Sequence, residues 1–390
     1  MKASSTRALR FTHLSLENWR NFARVDVDLA SRVFLAGPNA SGKSNLLDVF
    51  RFLHDLASIG GGFQSAVRKR RGVTQLRCLS AQRNPEIGIR VSIGTGGGTG
   101  VPREAWEYEI RFTQDKQGRP ILRKERVAKA GKVLLERPRS QDRADPERLT
   151  QTYLEQVNAN QRFRALADFF QGIRYLHIVP ELVREPGRST GRRNDPYGGD
   201  FLEQIARTPE KMRAERLRRI REALSMAIPQ LCELELWLDA RGSPHLRGKC
   251  EHWRPARAWQ TEEEFSNGTL RLLGLLWVAL DGAGPLLLEE PELSLHSEVV
   301  GYLPQMLARM QSRSGRQIFV STHAAEILRD PGLGLNELLL LSPEKKGTDV
   351  QPASAFREIP DLLKGGVSLA DAAIPRTRPD KVEQLALFGE

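Results

Sequence analysis

A glycine-rich segment with the spacing G-x-x-x-x-G-K-S constrains this chain more than any other feature. It covers Gly37–Ser44 (GPNASGKS), after a buried-strand pattern at Val33–Ala36 and before a helical pattern with Leu46, Phe50 and Leu53 on one face. In that setting the glycines let backbone N–H groups converge on phosphate oxygens, and the helix N-terminus adds positive potential. The segment therefore predicts a phosphate-binding loop in an α/β fold.

The side chains of this loop predict ATP with Mg²⁺ as the ligand. Lys43 is expected to reach the β- and γ-phosphates, and the Ser44 hydroxyl to coordinate Mg²⁺. We assign the whole loop and the residue after it to the nucleotide site: Gly37, Pro38, Asn39, Ala40, Ser41, Gly42, Lys43, Ser44 and Asn45.

Two carboxylates follow an apolar strand pattern late in the chain. The segment Pro285–Glu292 reads PLLLEEPE, so Glu289 and Glu290 come at the end of the strand, where a parallel sheet has its functional edge. Glu289 is expected to hold Mg²⁺ through water, and Glu290 to accept a proton from an attacking water. Two acids after a strand are weak evidence alone, but they become strong evidence behind a phosphate-binding loop.

Two further segments fit the same chemistry. His323 follows the apolar strand pattern Gln317–Thr322, and an imidazole at that edge can reach a γ-phosphate or the attacking water. In Phe265–Arg271 (FSNGTLR), Ser266 is a candidate N-cap and Gly268 allows close backbone approach. That helix start predicts a second anion-binding site.

Charge and composition favour a polyanionic partner and exclude several classes of protein. The chain has a net charge of +11, with 40% hydrophobic and 27% charged residues, which predicts a folded protein that suits nucleic acid or nucleotide phosphates. The basic runs Arg68–Arg71 and Arg213–Arg221 predict a DNA phosphate track, against the alternative of solvated faces. Three widely spaced cysteines disfavour a disulfide framework or zinc hook. The apolar run Leu272–Leu288 is interrupted by glycine, aspartate and proline, so we expect no membrane span and a cytoplasmic protein.

The hydrophobic pattern predicts a strand-rich first part and a more helical middle. A hairpin is predicted over Phe11–Leu29, strands at 87–93, 106–112 and 121–127, and a helix over Leu149–Phe170. We predict four regions: an ATPase lobe with a β subdomain at 1–140, an insertion at 141–260, the rest of the ATPase core at 261–345 and an extension at 346–390.

The order of these motifs resembles that of the ABC-type ATPase heads of the SMC, RecF and OLD group. The opening segment LSLENWRNF, which contains Arg20, is similar to that group's first strand and turn. The resemblance implies a P-loop NTPase of ABC-ATPase type, with a mixed sheet flanked by helices, an antiparallel β subdomain and a helical insertion lobe. It identifies Gly37–Ser44 as Walker A, Glu289 and Glu290 as Walker B and His323 as the switch histidine. It also implies that Ser266, Asn267 and Gly268 form the signature and Ser294-Leu295-His296 the D-loop, and it places Arg20 and Ser294 at the nucleotide.

Three departures from the family pattern stand out. Walker B normally ends in Asp-Glu, whereas this chain has Glu289-Glu290. The signature has Asn267 where a second glycine is usual, and no glutamine is evident for the Q-loop, with Gln64 and Gln75 as weak candidates.

The resemblance implies a head that dimerises on ATP and acts on DNA or gates a partner. Glu290 follows Lys43 by 247 positions, a separation too short for long coiled-coil arms and longer than a compact transporter subunit needs. Only 67 residues follow His323, too few for the nuclease domain of OLD proteins, so an effector nuclease or toxin is expected on a partner chain, as in anti-phage defence. The alternatives are a RecF-like repair or clamp-associated factor, a transporter subunit, and a scaffold that binds ATP without hydrolysing it.

The C-terminal sequence suggests one more partner. Gln384–Phe388 (QLALF) follows a Pro/Arg linker and resembles the peptide by which bacterial replication and repair proteins bind the sliding clamp. The alternative is that its apolar side chains fold onto this protein's own core or dimer mate.

Overall fold

The computed structural model of the protein describes residues 8–80, 84–95, 103–185, 195, 197–251, 258–377 and 384. The chain divides into two compact units. The first comprises Met1–Ile173, Ala283–Leu287 and Pro304–Glu390, and the second comprises Arg174–Gly282 and Leu288–Leu303.

An antiparallel sheet forms the β subdomain of the first unit. Its described strands are β1 (Arg10–Trp19), β2 (Phe22–Asp28), β4 (Ile87–Thr95), β5 (Arg103–Gln114), β6 (Pro120–Lys129) and β7 (Lys132–Arg137). They run in the order β2-β1-β4-β5-β6-β7. Alternate residues such as Leu14 and Leu16 of β1 are fully buried, as a period of two requires. The predicted hairpin at the start of the chain and the three predicted strands are confirmed.

A second, mixed sheet of the first unit carries the phosphate-binding loop. It contains β3 (Arg32–Ala36), β13 (Ile318–Thr322), β14 (Leu338–Glu344), β15 (Gly347–Pro352) and the first residues of β12 (Leu286–Glu289). β3 is parallel to both β13 and β14, and β15 is antiparallel to β14. The apolar strands Val33–Ala36 and Ile318–Val320 are buried, as expected for a sheet covered on both faces.

Helices and an aromatic cluster complete the first unit. The cluster consists of Phe11, Phe50, Phe170 and Phe319, and the ring centroids of its contacting pairs are 4.5–6.4 Å apart. β1, β13 and the helices that carry Phe50 and Phe170 therefore share one core. The helices that begin and end in this unit are α1 (Lys43–Ala57), α2 (Phe63–Arg68), α3 (Val73–Leu76), α4 (Ser140–Ala144), α5 (Arg164–Gln171), α11 (Ala325–Leu328), α12 (Glu358–Lys364) and α13 (Leu369–Ala373).

The second unit combines helices with a small antiparallel sheet in the order β11-β10-β9. Its elements are β8 (Arg174–Leu176), α6 (Pro180–Arg184), α7 (Phe201–Arg207), α8 (Glu210–Ala227), β9 (Leu231–Leu238), β10 (Pro244–Cys250), β11 (Trp259–Thr261) and α9 (Asn267–Ala279), with the end of β12 and the start of α10 (Ser297–Ser314). α8 buries Leu217, Ile220 and Leu224 along one stripe. β9 and β10 pair as an antiparallel hairpin.

The predicted helix over Leu149–Phe170 is wrong for most of its length. Only Arg164–Gln171 is α-helical, with short 3₁₀ turns at Pro146–Thr150 and Gln161–Phe163. The reason is a buried carboxylate: Glu125 accepts hydrogen bonds from the backbone N–H groups of Tyr153 (2.8 Å) and Leu154 (3.1 Å). Those N–H groups are therefore not available to a helix ladder.

Candidate functional site

The Gly37–Ser44 loop connects β3 to α1 and curls around the side chain of its own lysine. Lys43 is only 6% exposed, and its Nζ donates to the carbonyl oxygens of Gly37 (2.9 Å) and Pro38 (3.1 Å). The loop turns through left-handed backbone at Ala40 (φ 62°) and Gly42 (φ 98°). Asn39, Ala40 and Ser44 are exposed, so a ligand can reach the outer side of the loop.

Asn21 braces this loop from the hairpin between β1 and β2. Its Nδ2 donates to the Ser41 carbonyl (2.8 Å) and to Thr348 Oγ1 (2.7 Å), and its Oδ1 accepts from Asn45 Nδ2 (2.8 Å). A Cβ at Gly42 would come within 2.1 Å of Asn21 Nδ2, so both the close approach and the positive φ require glycine there. The opening segment LSLENWRNF thus positions the phosphate-binding loop.

Two more residues of the first hairpin, Trp19 and Arg20, contact α1. Arg20 has φ 53°, donates its backbone N–H to Leu76 O (2.6 Å) and places a guanidinium nitrogen 3.3 Å from Asp48. The Trp19 indole donates to the Asn45 carbonyl (3.0 Å). Arg20 therefore lies beside the first turns of α1, where its proposed role at the nucleotide stays a prediction.

The residues of this loop fit a nucleotide polyphosphate. Ser41 Oγ is fully buried and has no hydrogen-bond partner among the residues that the structure describes. The N-terminus of α1, a helix of 15 residues, follows directly and presents backbone N–H groups and the buried ammonium of Lys43. The Ser44 hydroxyl is the expected magnesium ligand of the loop. A donor-rich cradle of this kind suits the oxygens of a triphosphate.

His323 lies at the same sheet edge as the loop. β13 and β3 are parallel, and their last paired residues are Thr322 and Ala36. His323 and Gly37, the next residues of the two chains, therefore leave the sheet at the same edge. His323 is exposed, whereas Ser321 and Thr322 are fully buried. The strand ends therefore bring two of the predicted motifs to one edge of the first unit.

In the second unit, Glu289 ends β12 and is held by residues of and after β8. The Tyr175 hydroxyl donates to Glu289 Oε2, and His177 Nδ1 lies 3.2 Å from the Glu289 carbonyl oxygen. Neither Tyr175 nor His177 belongs to a motif that the sequence shows. The signal that could have found them is their position in and directly after β8, a strand that ends beside the acids.

Glu290 follows with left-handed backbone (φ 45°), an uncommon conformation for a non-glycine residue that turns the chain sharply after the strand. Arg271 of α9 interacts electrostatically with Glu290 and with Glu181. Burial lowers the pKa of the Arg271 guanidinium, and these carboxylates oppose that effect. Glu292 is also buried.

The signature segment begins α9 with a capped turn. Ser266 Oγ accepts the backbone N–H of Thr269 at 3.1 Å, which confirms Ser266 as the N-cap. A Cβ at Gly268 would come within 2.4 Å of the Ser294 carbonyl oxygen, so the predicted signature and D-loop touch through backbone. Ser294 itself has φ 63°. Asn267, which replaces the usual glycine, accepts from Arg184 at 2.7 Å.

The predicted residues thus fall into two groups. The phosphate-binding loop, Arg20 and His323 belong to the first unit, and the acids, the signature and Ser294 belong to the second. Gln64 is used structurally, since its Nε2 donates to the carbonyls of Pro120 and Thr150, both at 2.8 Å. Gln75 is exposed. Neither glutamine therefore gains support as the Q-loop residue.

The basic run Arg68–Arg71 is only partly a surface feature. Arg70 is 6% exposed and is paired with Asp48 (2.7 Å) and Asp55 (2.8 Å). Lys69 also pairs with Asp55. Arg68 and Arg71 are exposed. The expectation that all four cations face DNA is therefore wrong for Arg70.

On α8, most arginines of the second basic run have partners. Arg218 pairs with Glu215 and Glu222, and Arg216 pairs with Asp281 at 3.0 Å. The pairs of Arg218 join residues three and four positions apart, as on a solvated helix surface. Of the predicted clamp-binding peptide, Leu385–Phe388 lie outside the described residues, and Gln384 is exposed.

Comparison with known proteins identifies the family. The family model "AAA domain, putative AbiEii toxin, Type IV TA system" matches residues 32–329. The chain belongs to this AAA family. No curated protein matches the sequence significantly.

Solved structures show that this AAA protein has the fold of SMC head domains. An SmcHead crystallised with the C-winged helix domain of ScpA is 14% identical, with 87% of this chain and 96% of that chain covered and a TM-score of 0.51. The Smc head domain of Pyrococcus furiosus with an extended coiled coil, bound to the C-terminal domain of ScpA, is 11% identical, with 92% and 100% covered and a TM-score of 0.51. The predicted family resemblance and the predicted ABC-ATPase fold class are confirmed.

The described residues form neither a membrane-spanning helix nor a cluster of metal-binding side chains. None of their helices is long and apolar enough to cross a membrane. No group of three or more His, Cys, Asp or Glu side chains among them is arranged to hold a metal ion. Magnesium at an ATPase site of this family would draw several of its ligands from phosphate oxygens and water.

Proposed function

We propose that this AAA protein hydrolyses ATP, and that two copies engage head to head on the bound nucleotide. The observation that carries the proposal is the Asn21-braced loop. Its left-handed Gly42, buried Lys43 and unpartnered Ser41 hydroxyl form a cradle for a triphosphate at the N-terminus of α1. Membership of an AAA family supports nucleotide binding independently.

Each predicted side chain takes a role that its chemistry allows. Lys43 neutralises charge on the β- and γ-phosphates, while the Ser44 hydroxyl and Glu289 hold the magnesium site. Bound Mg²⁺ supplies charge stabilisation to the phosphoryl group. Glu290 accepts the proton of the attacking water, and His323 donates a hydrogen bond toward the γ-phosphate.

Engagement of two heads would complete each nucleotide site. Ser266 is exposed and Gly268 is half-exposed at the start of α9, a helix of 13 residues. The unit that contains them does not contain the phosphate-binding loop. In this proposal they cover the γ-phosphate held by the second copy, together with Ser294. Asn267 stands where the family signature usually has a glycine, and Arg184 donates a hydrogen bond to its side chain.

The test is steady-state phosphate release by the full chain, combined with sizing chromatography in the presence of ATP. Lys43→Ala should abolish nucleotide binding, and Glu290→Gln should bind ATP, fail to hydrolyse it and accumulate as a dimer. An intact protein that binds ATP without any turnover would instead support the non-hydrolysing scaffold. Stimulation of ATP turnover by DNA would favour a RecF-like repair factor over an ATPase that controls a partner protein.

The proposed partners, DNA and an effector chain, rest on fewer observations than the nucleotide site does. Arg68 and Arg71, which remain exposed, are candidates for DNA phosphate contacts in a chain with a net charge of +11. The family description names a toxin of a type IV toxin–antitoxin system, which is compatible with an effector or antitoxin in trans and with a role in defence. A cytoplasmic location and sliding-clamp binding through Gln384–Phe388 remain predictions.

A further inference from the structure

Glu289 carries its carboxylate on a longer and freer side chain than an aspartate would. A glutamate has one more rotatable bond than an aspartate, and its terminal torsion is broad. Fixing such a side chain costs conformational entropy, and that cost opposes any binding that requires one orientation of the carboxylate. A glutamate that serves a metal site therefore gains from a neighbour that holds it in place.

The segment that begins with β8 supplies such neighbours. β8 lies next to β12 in the sheet order, and Tyr175, His177 and Glu289 belong to the same compact unit. The Tyr175 hydroxyl donates a hydrogen bond to Glu289 Oε2. Two residues further on, His177 Nδ1 lies 3.2 Å from the Glu289 carbonyl oxygen. Glu289 is thus held both at its carboxylate and at its backbone.

The backbone around Glu289 is fixed from both directions along the chain. Leu286–Leu288 of β12 are buried. Directly after Glu289, the left-handed backbone of Glu290 (φ 45°) turns the chain away from the strand. The orientation of the Glu289 carboxylate is therefore decided by its side-chain torsions, on which the bond from Tyr175 acts.

A phenol hydroxyl suits this task better than a cationic side chain does. It donates one hydrogen bond and brings no positive charge, so the negative charge that attracts a cation is kept. A carboxylate has about four acceptor positions, so a bond from Tyr175 and a bond from a metal-bound water are compatible. Tyr175 and Glu289 are both half-buried, which leaves the pair accessible from solvent.

We propose that Tyr175 is a positioning residue that fixes the Glu289 carboxylate in the orientation in which it accepts a hydrogen bond from water on the magnesium ion of the nucleotide. This inference rests on the proposed function, because it takes Glu289 as part of the magnesium site. Groups that orient a metal-binding side chain in this way change metal affinity by about 10- to 100-fold. Tyr175 itself contacts neither the metal nor the nucleotide in this proposal.

The experiment uses the full chain and mant-AMP-PNP, a fluorescent ATP analogue that is not hydrolysed. Fluorescence anisotropy measures its affinity in EDTA and at a series of Mg²⁺ concentrations. Tyr175→Phe keeps the ring and removes the hydroxyl. We expect the Mg²⁺ concentration at half-saturation to rise about tenfold, while the affinity in EDTA is unchanged. Tyr302→Phe, on a residue of α10 that is 66% exposed, is the matched control and should behave as wild type.

A shorter acid gives the decisive comparison. Glu289→Asp withdraws the carboxylate from the Tyr175 hydroxyl by one methylene group. In this background Tyr175→Phe should have no further effect on the Mg²⁺ concentration at half-saturation, so the two substitutions are strongly non-additive. If Tyr175 only supported the local structure, Tyr175→Phe would have the same effect in both backgrounds.

The possible failures are distinguishable. An unchanged half-saturation in Tyr175→Phe, an equal increase in both backgrounds, or an equal loss of affinity in EDTA would overturn the inference and leave the proposed ATPase intact. A wild type that binds the analogue with no response to Mg²⁺ would overturn the metal role of Glu289 and the inference together. A wild type that does not bind the analogue would overturn the proposed function itself.

Discussion

The side chain of Asn21 occupies the space that a Cβ of Gly42 would need, with Asn21 Nδ2 only 2.1 Å from that position. Because Asn21 also binds Ser41, Asn45 and Thr348, a displacement at this point would be transmitted to the second half of the loop and to the first turn of α1. The phosphate-binding loop of this protein therefore depends on a residue of the first hairpin as much as on its own sequence.

Gly42→Ala should damage both the fold and nucleotide binding. The substitution imposes left-handed backbone on alanine and pushes Asn21 aside, which together cost about 2–4 kcal/mol. Gly118→Ala is the matched control, since Gly118 also has positive φ (80°) but nothing within 4 Å of its added Cβ; it should cost about 1 kcal/mol. Urea unfolding and ATP titration measure the two effects. Equal losses in both variants would contradict the proposed role of Asn21.

Glu290→Gln should separate ATP binding from hydrolysis. Loss of the proton acceptor is expected to lower turnover by about 100-fold or more, while ATP affinity is kept because the magnesium ligands remain. Glu298→Gln, on the exposed first turn of α10, is the control and should behave as wild type. Phosphate release and sizing with ATP are the measurements. Near-normal turnover in Glu290→Gln would move the base elsewhere, with the buried Glu292 as the next candidate.

Ser266→Arg should bind ATP as a monomer but fail to form the ATP-dependent dimer, because a bulky cation would obstruct the partner's γ-phosphate. The substitution also removes an N-cap, which costs about 1 kcal/mol. Ser368→Arg isolates that cost, since Ser368 caps α13 in the same way, accepting from Asp371 N at 3.1 Å. A normal ATP-dependent dimer of Ser266→Arg in sizing chromatography would refute the composite site.

The basic run Arg68–Arg71 should divide into two kinds of residue. The logarithm of the binding constant for duplex DNA falls linearly with the logarithm of the salt concentration. Arg68→Glu and Arg71→Glu should each reduce that slope by about 0.9 if each guanidinium contacts one phosphate. Arg70→Ala should leave that slope unchanged and lower the free energy of unfolding by about 3 kcal/mol, because it leaves Asp48 and Asp55 without their buried partner. Unchanged slopes in the first two variants would make this run a solvated surface.

The difference between Arg68 and Arg70 shows where sequence reasoning ends. Local patterns predicted the first hairpin, the phosphate-binding loop and the acids at the end of β12, because each depends on neighbours in the chain. The Asn21–Thr348 hydrogen bond joins residues 327 positions apart, and no local pattern indicates it. For the same reason the helical pattern after Leu149 was misleading: Glu125, in a distant strand, takes the backbone N–H groups of Tyr153 and Leu154.

Glu155 should make the stability of the protein depend on pH between about 4.5 and 7. Burial raises the pKa of its carboxyl to about 7, above the ordinary value of 4.5, with Glu125 adding to this effect and Arg137 opposing it. The folded state therefore keeps a proton that the unfolded state loses, so the free energy of unfolding falls as pH rises through this window. Glu155→Gln does not titrate and should lack this part of the decline. Urea unfolding of both proteins at several pH values gives the difference, in which the contributions of other groups cancel. A wild-type-minus-variant difference that is flat from pH 4.5 to 7 would show that Glu155 ionises normally in the folded protein.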